Sequence, residues 1–491
     1  MRPSAARAYF SLDPRSLAAF RIGLGWLVLS DFAERARQLE AHYTDFGLLP
    51  RDALRALAAH PNYSFHLLGG GFAFEATLFA LSGIAALCLA LGFQTRWASI
   101  ATYVFLFSVQ GRNPLLNHGA DDFELSMLMW APFLPLGAVW SLDALRRPAR
   151  LDERAFGPVF SAGSVGLALQ PLMLYTVITV SKFQYSAWTE GRAVYGLLHK
   201  AHYVRPLGEF ALTIPGFTTF ATYATIVTEI AIVFLLASPW RRDAARTWGV
   251  ALNTGFHVML FSMAKIGWFQ PLSILAALPL LPASAWERVR WARAEVVTAG
   301  GATDATDAGA TGAVAGRGPF ARLAEGVCWA IVVVSLVSVP PSLMREQFRY
   351  PEPLASIYRV FHIERRYRMF ANMDATPQGW WVIVGTLENG QTVDALTGSH
   401  AVSLERPKSY VDLLPNDNWQ MYWSNISRPY LAKIRPYLAE YVCRRWNRDA
   451  RPGERMASIE IVHVKERAVD PREPIARKPV TLLHGPCPGE H

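Results

Sequence analysis

Three polar side chains stand where an apolar chain rarely keeps them. Lys182 closes the run "TVITVSK", and the aromatic segment "FQYSAWTEGRAVY" follows it. Lysine is scarce: seven among 48 basic residues, with only Lys182, Lys200 and Lys265 before residue 408. An amine stripped of water gives up its proton more readily, which suits a general base near neutral pH. A guanidinium stays charged and cannot take that part. His118, in "GRNPLLNHGADDFELS", and His257, in "GFHVMLFSMAKIGWF", are imidazoles able to stabilise the anion that such a base creates. The candidate catalytic residues are therefore Lys182, His118 and His257, all predicted to face one side of a membrane.

Each has a plainer reading. A helix-end lysine commonly extends its ammonium to the headgroups. His118 suits a loop before a helix, with Asp121, Asp122 and Glu124 as first-turn acids complementing the helix dipole. His257 suits a core histidine bonded to a carbonyl. The convergence of the three on one face favours the chemical reading. Glu229, near a bilayer midplane, and Arg21, in the inner half of the first helix, are two further embedded charges; they are expected either to pair or to leave Glu229 protonated.

The elements that must position these residues are membrane helices. Charged residues make up 18% and hydrophobic residues 52% of the 491 residues, and 16 Trp with 17 Tyr suit interfacial aromatic belts. The pattern predicts a mainly α fold: a polytopic bundle with nine membrane helices near 16–33, 72–93, 96–111, 121–140, 158–181, 217–238, 244–263, 266–284 and 323–343. Arginines at 2, 7 and 15, at 96, at 146–154, at 241–246 and at 288–293 fall on alternate loops, which predicts an N-in, C-out orientation. The net charge of +9 is thus explained by loop bias, and no nucleic-acid-binding signature accompanies it. The segment 188–205, broken by Arg192, His199, Lys200 and Arg205, is expected as a short interfacial or folded-back helix.

Four parts follow: a transmembrane domain over 1–290, a disordered cytoplasmic linker over 291–320 rich in Ala, Gly and Thr, a last helix over 321–344, and a small extracytoplasmic α+β domain over 345–491. In that tail, "WWVIVGTLENGQTVDAL" alternates around Asn389-Gly390 as a hairpin does. A helix is expected over 427–447 and a strand over 457–464. Four cysteines lack metal-ligand spacing. Cys88 and Cys328 are expected as small core residues, and Cys443 and Cys487 are able to pair if the tail lies outside the cytoplasm.

The same residues carry a resemblance. "DPRSLAAFRIGLGWLVLSD", "YTDFGLLPR", "NHGADDFELSMLMWAPFLPLGAVWSLDA", "SKFQYSAWTEGRAVY" and "GFHVMLFSMAKIGWF" resemble the horizontally transferred transmembrane (HTTM) family, relatives of vitamin K-dependent gamma-carboxylase, and "ERRYRMFANM" continues the likeness. The resemblance implies Lys182 as the base toward vitamin K hydroquinone, Asn117 and His118 as residues assisting the quinone oxyanion, and His257 as another histidine of that region. Trp188 of the lysine motif is implied at the cofactor. The implied cofactor is vitamin K hydroquinone or menaquinol, without a metal, and the implied activity is quinol epoxidation coupled to glutamyl carboxylation. The tail is much shorter than the carboxylase's lumenal part. The expected partners are membrane lipid, a lipophilic quinone and an exported protein substrate, with no nucleic acid, in a bacterial inner membrane. The contrasting reading is a non-enzymatic scaffold or assembly factor that presents the tail to an exported partner, with the Trp380–Ala395 hairpin edge open to a strand. A transporter is a third reading, disfavoured by the missing inverted repeat.

Overall fold

The computed structural model describes residues 5–57, 63–146, 157–289, 319–339, 371–372, 379–407, 410–467 and 474–487. The linker expected over 291–320 falls almost wholly outside them, as do most of the 364–373 motif and the arginines at 147, 150, 154, 290 and 293.

Each apolar run folds as a helix: α1 Pro14–Ala36, α2 Phe72–Leu91, α3 Thr95–Arg112, α4 Gly119–Trp130, α5 Ala162–Lys182, α6 Phe217–Ala237, α7 Arg242–Met263, α8 Phe269–Ala277 and α9 Pro319–Val337. Five of them, α1, α2, α5, α6 and α9, are long and apolar enough to cross a membrane. All nine expected membrane helices form, and these five meet the length and apolarity of a full crossing. Helix α4 has 12 residues, a rise of about 18 Å against a hydrocarbon core of about 30 Å. Helix α8 gains only one tight turn, ending at Leu280. Helix α3 is framed by Arg96 and Arg112, and α7 opens on Arg242, Asp243 and Arg246, so both carry too much polarity.

Helix α5 is the hub. Of its apolar window 78% is buried within the protein, against 28% for α6 and 17% for α9, so the last two turn most of their surface to lipid. Phe220, Val227 and Phe234 on α6, and Phe320, Leu323 and Val333 on α9, are exposed accordingly. Helices α1 and α2 cross closely because Gly25 has no side chain. A Cβ there would meet the Ala90 backbone at 2.5 Å.

Residues 186–212 do fold back against the bundle, as three short helices, Ser186–Thr189, Ala193–Leu198 and Pro206–Leu212. Trp188, Leu198, Lys200 and His202 are buried there.

The tail holds an antiparallel sheet of β1 Gly379–Leu387, β2 Thr392–Asp394, β3 Met456–Arg467 and β4 Ala476–Pro486, ordered β2-β1-β3-β4. The Asn389-Gly390 hairpin joins β1 to β2, with Gly390 at φ 81°. Helices α10 Asp417–Ile426 and α11 Arg435–Arg448 lie with the sheet, and a tight six-residue helix, Pro429–Ile434, precedes α11. Cys443 on α11 is joined by a disulfide to Cys487 just past β4.

Helix α10 docks the tail onto the bundle. Asp417 N–H donates to Glu34 at 3.2 Å, Gln420 to the His202 carbonyl at 2.7 Å and Asn425 to the Leu115 carbonyl at 2.7 Å. The ends of α1, α3, α5 and α7 and the starts of α4 and α8 thus gather on the tail side. At the opposite end Tyr9 donates to the Ala237 carbonyl and accepts from Arg246 at its own carbonyl, and Trp286 donates to Ser16.

Candidate active site

Steps of four and three residues put Tyr175, Thr179 and Lys182 on one face of α5. Lys182 is 2% exposed and Glu229, on α6, is 4% exposed. The Lys182 ammonium donates to Glu229 Oε1, and Thr179 donates to Glu229 Oε2 at 3.1 Å. The indole of Trp188 covers the ammonium, its ring centre 4.1 Å from Nζ. Glu229 therefore does not pair with Arg21. Arg21 instead donates to the carbonyls of Leu136, Val139 and Trp140, which the α4–α5 connection brings to the N-terminal half of α1.

Two turns back along the same face, the Tyr175 hydroxyl meets His257 Nε2 at 2.6 Å and also Asn253 Oδ1, both on α7. Asn253 Nδ2 donates to the Ser273 carbonyl at 3.0 Å, which fixes its Oδ1 as an acceptor. The tyrosine proton then points to Asn253, so His257 Nε2–H donates to the tyrosine oxygen. His257 Nδ1 is left bare, buried and without a hydrogen-bond partner among the described residues.

His118 stands elsewhere. It caps α4: its N–H donates to Asp121 Oδ2 at 2.8 Å, and its Nδ1 accepts from Ala120 N–H at 3.0 Å. Nε2 is consequently the protonated nitrogen. Asp121 is held in turn by Arg35, which also donates to Asp31 at 2.7 Å and to Tyr43 at 3.1 Å. Asp121 thus does more than complement a dipole, because through Arg35 it locks α4 to α1.

Asn117 and His118 open on a cavity of about 270 Å³ between bundle and tail, walled also by Lys200, Tyr203, Phe269 and Gln420. Asn117 Nδ2 donates to the Gln110 carbonyl at 2.9 Å, while its buried Oδ1 has no partner among the described residues. Gly267, at φ 64°, leaves room beside His118. A Cβ there would sit 3.5 Å from Nε2 and 3.1 Å from an Asp417 oxygen. Asp417 is salt-bridged to Lys265 at 3.1 Å. Burial, with Asp417 nearby, raises the Tyr203 phenol to about 12, so it is a neutral donor at the cavity wall.

The structure thus separates the three candidates. His118 and Asn117 line the cavity, whereas Lys182 and His257 lie behind its wall. Trp188 shares one apolar cluster with the cavity residues Tyr203 and Ile266. Phe269 lies 5.8 Å from the His257 ring, centre to centre. The amine at the cavity is Lys200, which the sequence offers only as one of three scarce lysines. Tyr175 and Asn253 were also unforeseen, although their spacing from Lys182 and His257 carries the signal. Among the described residues no three His, Cys, Asp or Glu gather as a metal site would require.

A hub helix with a buried ion pair, long lipid-facing helices and a docked α+β tail define an integral membrane protein. A family model, the HTTM domain, matches residues 9–286, more than half of the 491 residues, and the chain belongs to that family. No curated protein and no solved structure matches it.

Proposed function

We propose that the protein is a quinol-dependent enzyme of the carboxylase or epoxidase type, with Lys182 as its base. In this reading nine helices alternate across the bacterial inner membrane, N-terminus inside and tail outside. The gathering of alternate helix ends beside the tail supports that alternation. The observation that carries the activity is the buried Lys182–Glu229 pair, whose lysine shares its α5 face with Tyr175, the partner of His257. Ionisable groups kept inside a bundle are costly and mark function by default.

A flat lipophilic headgroup suits the junction cavity, where Tyr203 and Phe269 offer aromatic faces. Asn117 Oδ1 is an unmet acceptor for a hydroxyl, and His118 Nε2–H is a donor for an oxyanion. Vitamin K hydroquinone or menaquinol would supply, on oxygenation, a base strong enough to remove a glutamyl γ-hydrogen. The chain's own part is to orient the headgroup and take its proton. Lys182 and Glu229 act as a unit: holding one shared proton the pair is neutral, and a second proton brings it to net +1. Thr179 tethers the carboxylate, and Trp188 stabilises the ammonium that forms. His257 Nδ1 is a second acceptor, beside Tyr175 two turns further along α5. Proton transfer from the cavity requires the Trp188–Tyr203–Ile266 layer to part.

The test is epoxide formation by purified protein given menaquinol and oxygen, with labelled bicarbonate and a glutamyl peptide as a second readout. Wild type should exceed Lys182→Ala by at least about 100-fold, the scale of one general base. Equal background from both proteins rejects the enzyme and leaves the scaffold reading.

A further inference from the structure

A second cavity, of about 630 Å³, lies where the tail meets the membrane end of the bundle. Four arginines line it: Arg37, just past α1, and Arg444, Arg445 and Arg448 along one side of α11. Among the described residues Glu40 is the only acid on its wall, and Arg448 already bonds it. Arg444 donates to the Phe46 carbonyl at 2.8 Å. These two contacts hold α11 against the bundle and leave an excess of positive charge facing the cavity. At the rim are Phe72, the first residue of the membrane helix α2, 59% exposed, and Phe46, 66% exposed. Below Phe72 the outward side of α2 continues apolar through Leu81, Ile84 and Leu91, all exposed.

Cationic groups over a cavity at the level where a spanning helix begins, with aromatic rings and then aliphatic side chains beneath, match the profile of a phospholipid from headgroup to acyl chain. Guanidinium groups grip phosphate by paired N–H donors. We propose that this cavity binds the headgroup of an anionic phospholipid in the leaflet beside the tail, with the acyl chains against α2. The site is separate from the quinol reading and stands if that reading fails. Its effect is to clamp α11, and with it the tail, to the bundle at the membrane surface.

The experiment uses the full chain in detergent, with retention of phosphatidylglycerol and of phosphatidylcholine measured by native mass spectrometry and by thermal stabilisation. Wild type should retain phosphatidylglycerol at least about tenfold better. The double variant Arg37→Gln, Arg445→Gln spares the Arg444 and Arg448 contacts and should lose that preference. Arg37→Gln alone, at an exposed position, should lose part of it and guards against misfolding of the double variant. Arg55→Gln, paired with Asp52 outside the cavity, should keep it. Equal retention of the two lipids by wild type, or an unchanged preference in Arg37→Gln and in a folded double variant, overturns the site. Displacement of the lipid by millimolar inorganic phosphate would make it a phosphate site and overturn the lipid assignment.

Discussion

Lys182 and Glu229, 47 residues apart in the chain, are hydrogen-bonded to one another inside the bundle, with an indole over the amine and a threonine on the acid. Their pairing gives each group a partner that neither helix supplies alone, and it ties the C-terminal end of the hub helix to α6. A buried pair of this kind adds little net stability, because desolvation offsets attraction, but its halves depend on each other strongly.

Removing one half should therefore cost far more than removing both. Lys182→Met or Glu229→Leu is expected to destabilise by about 3–5 kcal/mol, and the double variant to recover most of that loss. Thermal unfolding in detergent gives the double-mutant cycle. Additive single effects would mean that the two groups are not coupled.

Tyr175 is the hinge of the second cluster, since it accepts from His257 and donates to Asn253. Tyr175→Phe strips both of their partner and should cost about 1–3 kcal/mol. Nitrogen NMR of labelled histidine should find His257 protonated on Nε2 in the wild type. A ring protonated on Nδ1 would contradict the bonding order derived for this cluster.

Two histidines at the junction, outside the spanning helices, should make docking of the tail acid-sensitive. Burial pushes both His202 and His42 down to about 3, with Lys200 and Arg35 adding repulsion. In the unfolded chain each would titrate near about 6.5. Between these values the unfolded state binds more protons, so stability falls as pH falls from about 6.5 toward 3. Each group contributes up to about 1.4 kcal/mol per pH unit. His202→Phe should flatten the slope measured from denaturant midpoints at pH 4 to 7. An unchanged slope would place the acid sensitivity elsewhere.

The Cys443–Cys487 bridge closes a separation of 44 residues and pins the end of β4 to α11. Its removal by Cys443→Ser with Cys487→Ser should cost about 2–5 kcal/mol and expose β4 to protease. On non-reducing gels, protein made in an oxidising compartment should run as the bridged form. A tail held in the cytoplasm should instead show two alkylatable thiols there.

Much of this molecule is written locally. Apolar runs declared every bundle helix, because burial of side chains in lipid or protein needs no distant partner. Asn389-Gly390 declared its hairpin through the backbone freedom of a tight turn. Strand β4 escaped notice because Pro479 and Gly485 interrupt it and its residues are mostly exposed, as an edge strand allows. Helix α10 was signalled only by its cap Asn416, whose side chain accepts from Trp419. Motif likeness alone led to the family to which the chain belongs.

What needed the folded molecule is everything that depends on which helix lies beside which. The true helix ends, and with them the five helices long and apolar enough for a full crossing, came from the folded chain. Glu229 found Lys182 rather than Arg21 because α6 packs on the hub helix while Arg21 of α1 faces backbone carbonyls. His118 parted from Lys182 and His257 because α10 of the tail seats itself over the loops and encloses His118 with Lys200 instead. Sequence spacing orders side chains along one helix face, but contacts across helices are chosen by packing, which no single segment encodes.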